Sequence, residues 1–174
     1  MKKFVLVVAG LALLAIGLFI FLQSKDNYDP TKYYVKIDSL DKGEKIELKL
    51  PDQFGNSVEL SDKTDKLLVV FDKEGAHKVI DFLKNKPKGY LNDHSVLFVA
   101  DISKMPVVIR NTFALPDLRK SEFPIVLIYE KELSKKLDGG VKEGEFEIIV
   151  LDNSKIEDII VTDDTAKMQE ILEK

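Results

Sequence analysis

Proton chemistry has few places to arise in this chain. Asp72, Lys73 and Glu74 form a charged tripeptide at the end of an expected strand, with His77 three residues on. Two carboxylates, an ammonium and an imidazole could move protons if burial shifted their pKa values, and His77 could supply one metal ligand. The plainer reading, which we favour, is a solvated turn whose acidic residues suit the start of a helix. His94 has only Asp93 beside it, too few ligands for zinc or iron. Gly139, Gly140 and Gly144 form a GGxxxG string with no Lys-Ser/Thr pair opening a helix behind it, so it reads as a loop and not a phosphate cradle. No GxGxxG follows an expected strand, which disfavours a flavin or nicotinamide enzyme. The chain has no cysteine. Without a thiolate there is no thiol peroxidase or disulfide-exchange chemistry, and no disulfide or thiolate metal site. No catalytic residue, cofactor or metal is assigned.

A second stretch could contact a partner. Between Asp101 and Leu118 lie Met105, Val107, Val108, Ile109, Phe113 and Leu115, with Arg110 the only formal charge between Lys104 and Asp117. Ordinary core contacts account for such a segment; apolar surface left uncovered would suit a partner. The candidate interaction surface is therefore Asp72, Glu74, His77, Met105, Arg110 and Phe113.

Positioning these residues requires a strand–turn–helix unit and its neighbours. Leu67 to Phe71 is apolar without alternation, as in a strand covered on both faces. Ala76, Val79, Ile80 and Leu83 then recur at helical spacing. Before this unit, Ile46, Leu48 and Leu50 alternate, a turn follows at Pro51 to Asn56, and Val58 and Leu60 resume the alternation, predicting a hairpin. After it come a strand over 95–100, a helix capped by Asp101 or Ser103 and stopped by Pro116, a strand over 125–129, a short helix over 130–137, a hairpin of 146–151 with 156–161, and a terminal helix carrying Met168, Ile171 and Leu172. Interleaved strands and helices argue for a sheet covered by helices on both sides.

Length and charge bound the rest. Phe4 to Leu22 is nineteen residues without a charge, about enough helix to cross a ~30 Å hydrocarbon core. No small-residue cleavage site follows it, so an uncleaved anchor is expected. Lys2 and Lys3 would hold its start in the cytoplasm. The expected organisation is an anchor over 1–23, a linker over 24–43 in which Tyr33 to Ile37 could add a short strand, and one domain over 44–174. The expected location is a bacterial inner membrane, single-pass, with the C-terminal domain in the periplasm. Setting Lys2 and Lys3 aside leaves 24 basic against 30 acidic residues, a formal charge of −6. That balance disfavours nucleic acid, whose phosphates need clustered Lys and Arg.

Four stretches carry a family resemblance. LPDQFGNSVELSD (Leu50 to Asp62), LLVVF (Leu67 to Phe71), FPIVLIYEKELSKKLDG (Phe123 to Gly139) and IIVLDNSKIEDIIV (Ile148 to Val161) stand in an order that resembles the thioredoxin fold. More narrowly they look like its peroxiredoxin branch, the alkyl hydroperoxide reductase and thiol-specific antioxidant family, or the cysteine-poor periplasmic YtfJ-like group. The resemblance implies a thioredoxin-like α/β three-layer sandwich with a central mixed sheet, here preceded by one transmembrane helix. It also places the departures. The family's Cys-x-x-Cys would fall near Ala76 to Val79, and its cis-proline near Glu145-Phe146; neither motif is present. Pro124 precedes a different strand.

The function expected from these residues is a redox-inactive, membrane-anchored binding or assembly module, with another envelope protein as partner. The alternative is a cysteine-independent enzyme or small-ligand carrier using the Asp72–His77 turn.

Overall fold

The computed structural model describes residues 2–26 and 28–174, with side chains in the first helix described from residue 10 onward. The uncharged N-terminal run forms α1 (Lys2–Gln23), and its side chains from Gly10 to Leu22 are exposed. Among the described residues no helix is long and apolar enough to cross a membrane.

The stretch read as a linker is in part built into the domain. A 3₁₀ turn (Pro30–Lys32), capped by Asp29, leads into β1 (Tyr34–Lys36). This strand pairs antiparallel with β2 (Glu47–Pro51), which pairs in turn with β3 (Ser57–Glu59). Val35 is buried, so the short strand expected within Tyr33 to Ile37 forms and is held by apolar burial and a strand ladder.

The main sheet has the order β6-β5-β4-β7-β8. Its middle strand is β4 (Lys66–Val70), buried at every position, which explains the absence of alternation. β4 leads into α2 (Lys73–Leu83), the short α3 (Tyr90–Asp93) and β5 (Val96–Asp101), which lies parallel to β4. The next segment forms α4 (Val107–Ile109), a π-helical turn (Arg110–Ala114) and α5 (Leu115–Leu118). Then follow β6 (Val126–Ile128), parallel to β5, and α6 (Lys131–Lys135). The chain closes with β7 (Phe146–Asp152), β8 (Lys155–Thr162) and α7 (Thr165–Leu172), β7 running antiparallel to both β4 and β8.

Side chains alternate across β4. Leu68 and Val70 face one core with Val79 and Leu83 of α2, Phe98, Phe146, and Met168 and Leu172 of α7. Leu67 and Val69 face the other, with Val35, Leu48, Leu50, Ile149 and Leu137. The expectation of helices on both faces is corrected here. The second face is covered chiefly by the small β1-β2-β3 sheet, whose alternating Leu48 and Leu50 supply an apolar face that must be buried somewhere.

Two smaller expectations also change. Pro116 does not stop its helix: the turns run through it to Leu118, and it sits at the start of α5, where a missing N–H costs little. Asp101 does not cap α4, whose N-cap is Pro106 without a side-chain bond. Instead its Oδ1 accepts the Ser103 N–H at 2.8 Å and its Oδ2 accepts the Ser134 hydroxyl at 2.7 Å, because β5 carries it into the interior.

Candidate functional site

β4 delivers the chain to Phe71, buried, and then to Asp72, the N-cap of α2. The Asp72 carboxylate has two backbone partners. Oδ1 accepts the Gly75 N–H at 2.9 Å, the usual cap bond, and Oδ2 accepts the Gly144 N–H at 3.0 Å from the loop entering β7. Lys78 reaches the same loop and donates to the Gly144 carbonyl at 2.9 Å. Gly75 is buried against it: a Cβ there would lie 2.5 Å from the Glu145 carbonyl oxygen. Gly144 turns the loop with φ +80°, a conformation that favours glycine. Two short segments, 72–78 and 144–145, thus lock together through backbone.

This junction is where the resemblance would place a nucleophile against a cis-proline. Here the space is taken up by a glycine–carbonyl contact, and both Asp72 oxygens are engaged. Among the described residues no peptide bond is cis. Glu74 and His77 are exposed, and Asp72 is half-buried. His77 lies at one end of a groove of about 380 Å³ between α2 and the 117–125 segment, with Phe98 and Phe123 on its walls. His94 packs its ring against Tyr90 at 4.6 Å. Among the described residues no cluster of three or more His, Asp or Glu side chains could hold a metal ion.

The other half of the sequence-derived surface lies elsewhere. Met105 is partly buried against the first core. Arg110 is a correction: it is 3% exposed, with Nη2 bonded to the Asp26 carboxylate at 2.6 Å and its guanidinium 4.6 Å from the Tyr129 ring centre. Its charge is matched by a residue 84 positions earlier, which allows it inside. Phe113 is exposed, at 64%. The structure brings Asp72, Glu74 and His77 together at one turn and sets Arg110 and Phe113 beside the end of α1.

Gln53 and Glu147 are among the buried polar residues not singled out from sequence. Gln53 ties the β2–β3 turn to the entry of β6: its Nε2 donates to the Phe123 carbonyl at 2.9 Å and its Oε1 accepts the Ile125 N–H at 2.8 Å. Glu147 lies within β7 and is fully buried. Its Oε2 accepts the Gly139 N–H at 2.8 Å, while Oε1 has no hydrogen-bond partner. Burial, reinforced by the Asp138 carboxylate and opposed by the Gly139 bond, pushes its pKa from 4.5 to about 7. The available signal was one acidic residue inside the apolar run FEIIVL.

The sheet order, the βα turn and its partner loop define a thioredoxin-like fold. The sequence matches no family model and no curated protein. Solved structures match over most of the chain. A candidate thiol:disulfide interchange protein DsbE from Chlorobium tepidum aligns with TM-score 0.53 and 19% identity, over 78% of this chain and 98% of that one. Peroxidoxin BcpB from Mycobacterium tuberculosis aligns with TM-score 0.50 and 18% identity, over 76% and 94%. A candidate protein disulfide isomerase from Bacteroides thetaiotaomicron gives 0.51 and 13%, over 82% and 89%. At these identities the likeness establishes the fold.

Proposed function

We propose that this chain is a membrane-tethered thioredoxin-like module that binds another envelope protein and does no thiol redox chemistry. One observation carries the reading: the turn that would present a nucleophile is closed by the Asp72–Gly144 bond and the Gly75–Glu145 contact, in a chain without cysteine. Asp72 is spent on two backbone N–H groups, so the turn offers a fixed, charged surface and no reacting group. Support for the tether comes from the uncharged run Phe4 to Leu22 within a 22-residue helix. Lysines at positions 2 and 3 favour a cytoplasmic start and a domain on the periplasmic side.

The test places a photo-crosslinking side chain at Glu74 or His77 in intact bacterial envelopes, with exposed Lys135 as control. A discrete product from the turn positions and none from the control is expected. No discrete product from either turn position overturns the reading.

The apolar-walled groove beside His77 favours a second reading, a small-ligand carrier. A ligand-induced melting shift abolished by a bulky substitution at Ile80, on the groove wall, would support it.

A further inference from the structure

Outside α1, the described residues include three large apolar side chains left well exposed: Phe54 at 58%, Ile109 at 46% and Phe113 at 64%. They come from two separate parts of the chain, and the segments that carry them adjoin the exit of α1. Phe54 lines the same groove, of about 550 Å³, as Leu22, the last apolar residue of the N-terminal run. Ile109 ends α4, which packs beside α1. Phe113 shares the π-helical turn with Asn111, whose Nδ2 donates to the Gln23 carbonyl at 2.8 Å and the Lys25 carbonyl at 2.9 Å.

The exit is also held firmly. Arg110 grips Asp26. Tyr28 stacks between Tyr33 and Tyr129 and donates its hydroxyl to Glu130 at 2.7 Å. A domain hung on a loose tether could turn any face to its surroundings; this one is clamped within a few residues of the helix end. If α1 spans a bilayer, the level of Leu22 to Lys25 is the boundary between acyl chains and headgroups, and Asn111 is bonded to that level.

We infer that Phe54, Ile109 and Phe113 form a foot that sits in the headgroup–acyl boundary of the membrane in which α1 is anchored, fixing the domain's orientation on the lipid surface. Single exposed apolar residues need no explanation; here three are carried by segments that adjoin one helix end. Aromatic side chains suit this boundary, and the occupant is lipid because the cluster adjoins the segment proposed to enter it. The inference rests on the membrane-anchor reading.

The absence of cysteine makes the test direct. Full-length chains carrying one cysteine each, Leu14→Cys, Phe54→Cys, Phe113→Cys or Lys135→Cys, are labelled with an environment-sensitive fluorophore and reconstituted into phosphatidylethanolamine/phosphatidylglycerol vesicles. Quenchers are spin-labelled lipids with the label near the headgroup or deep in the chain. The foot predicts strong quenching of positions 54 and 113 by the shallow label, of position 14 by the deep label, and little at 135. An Ile109→Ser/Phe113→Ser chain labelled through Pro106→Cys should lose most of the shallow quenching that Pro106→Cys alone shows. Position 14 deep but 54 and 113 in water overturns the foot and leaves the anchor standing. Position 14 in water overturns both. Signals at 54 and 113 that vanish on diluting protein in lipid assign the patch to a second copy and also overturn it.

Discussion

Asp72 and Gly144, seventy-two residues apart, are joined by a 3.0 Å bond from the glycine N–H to the aspartate Oδ2. The other oxygen of the same carboxylate caps α2 through Gly75. One side chain therefore both starts the helix and fastens the loop that enters β7.

Asp72→Ala should destabilise the fold by about 1–3 kcal/mol, combining a lost cap with a lost charge-assisted bond. Asp72→Asn retains one acceptor oxygen and should lose less. Urea denaturation midpoints measure both; an unchanged midpoint for the alanine variant would show that the bond is dispensable.

Gly75→Ala reverses the usual rule. In a helix interior, alanine is favoured over glycine by about 1 kcal/mol. Here the new Cβ would stand 2.5 Å from the Glu145 carbonyl oxygen, which belongs to backbone and yields little. A net loss of about 1–3 kcal/mol is expected, and a stabilised variant would contradict the close approach.

Glu147 sets a pH dependence. Its folded pKa lies above 4.5, at about 7, so the folded chain keeps a proton that the unfolded chain releases. The stability this proton provides is complete below about pH 4.5 and falls as pH rises through 7, by about 3 kcal/mol in all. Glu147→Gln should flatten that part of the profile and raise the melting temperature at pH 8. Melts of both forms between pH 5 and 8 decide it; parallel profiles would remove Glu147 as the cause.

Tyr28 clamps the segment after α1. Tyr28→Ala should cost about 1–3 kcal/mol through lost stacking and burial, and should speed proteolysis between residues 24 and 33. Tyr28→Phe keeps the rings stacked on Tyr33 and Tyr129 and loses only the Glu130 bond, about 0.5–1.5 kcal/mol. Equal protease resistance in all three forms would mean that the stack does not hold the segment.

Much of the fold was legible because local pattern and tertiary role coincide. The unbroken run at 67–71 marks the central strand, since burial on both faces leaves no polar position. The same holds for the alternation at Leu48 and Leu50 and for the spacing of Val79 and Leu83. The segment 107–118 was read less well. Its apolar content is high, but burial is divided unevenly: Leu115 goes inside, Phe113 stays out, and Arg110 is drawn in by Asp26 and Tyr129.

By itself the sequence determined which chemistry is absent, because composition is independent of folding: a chain without cysteine has no thiolate in any conformation. It also determined the central strand β4, the alternating strand β2, the hairpin of β7 with β8, and α2, whose periodicities follow from local geometry. Only the tertiary structure decided what the turn after β4 became. Whether Asp72 faces water or bonds to Gly144, and whether Glu147 is hydrated or sealed, depends on which distant loops meet. Local spacing carries no record of that meeting.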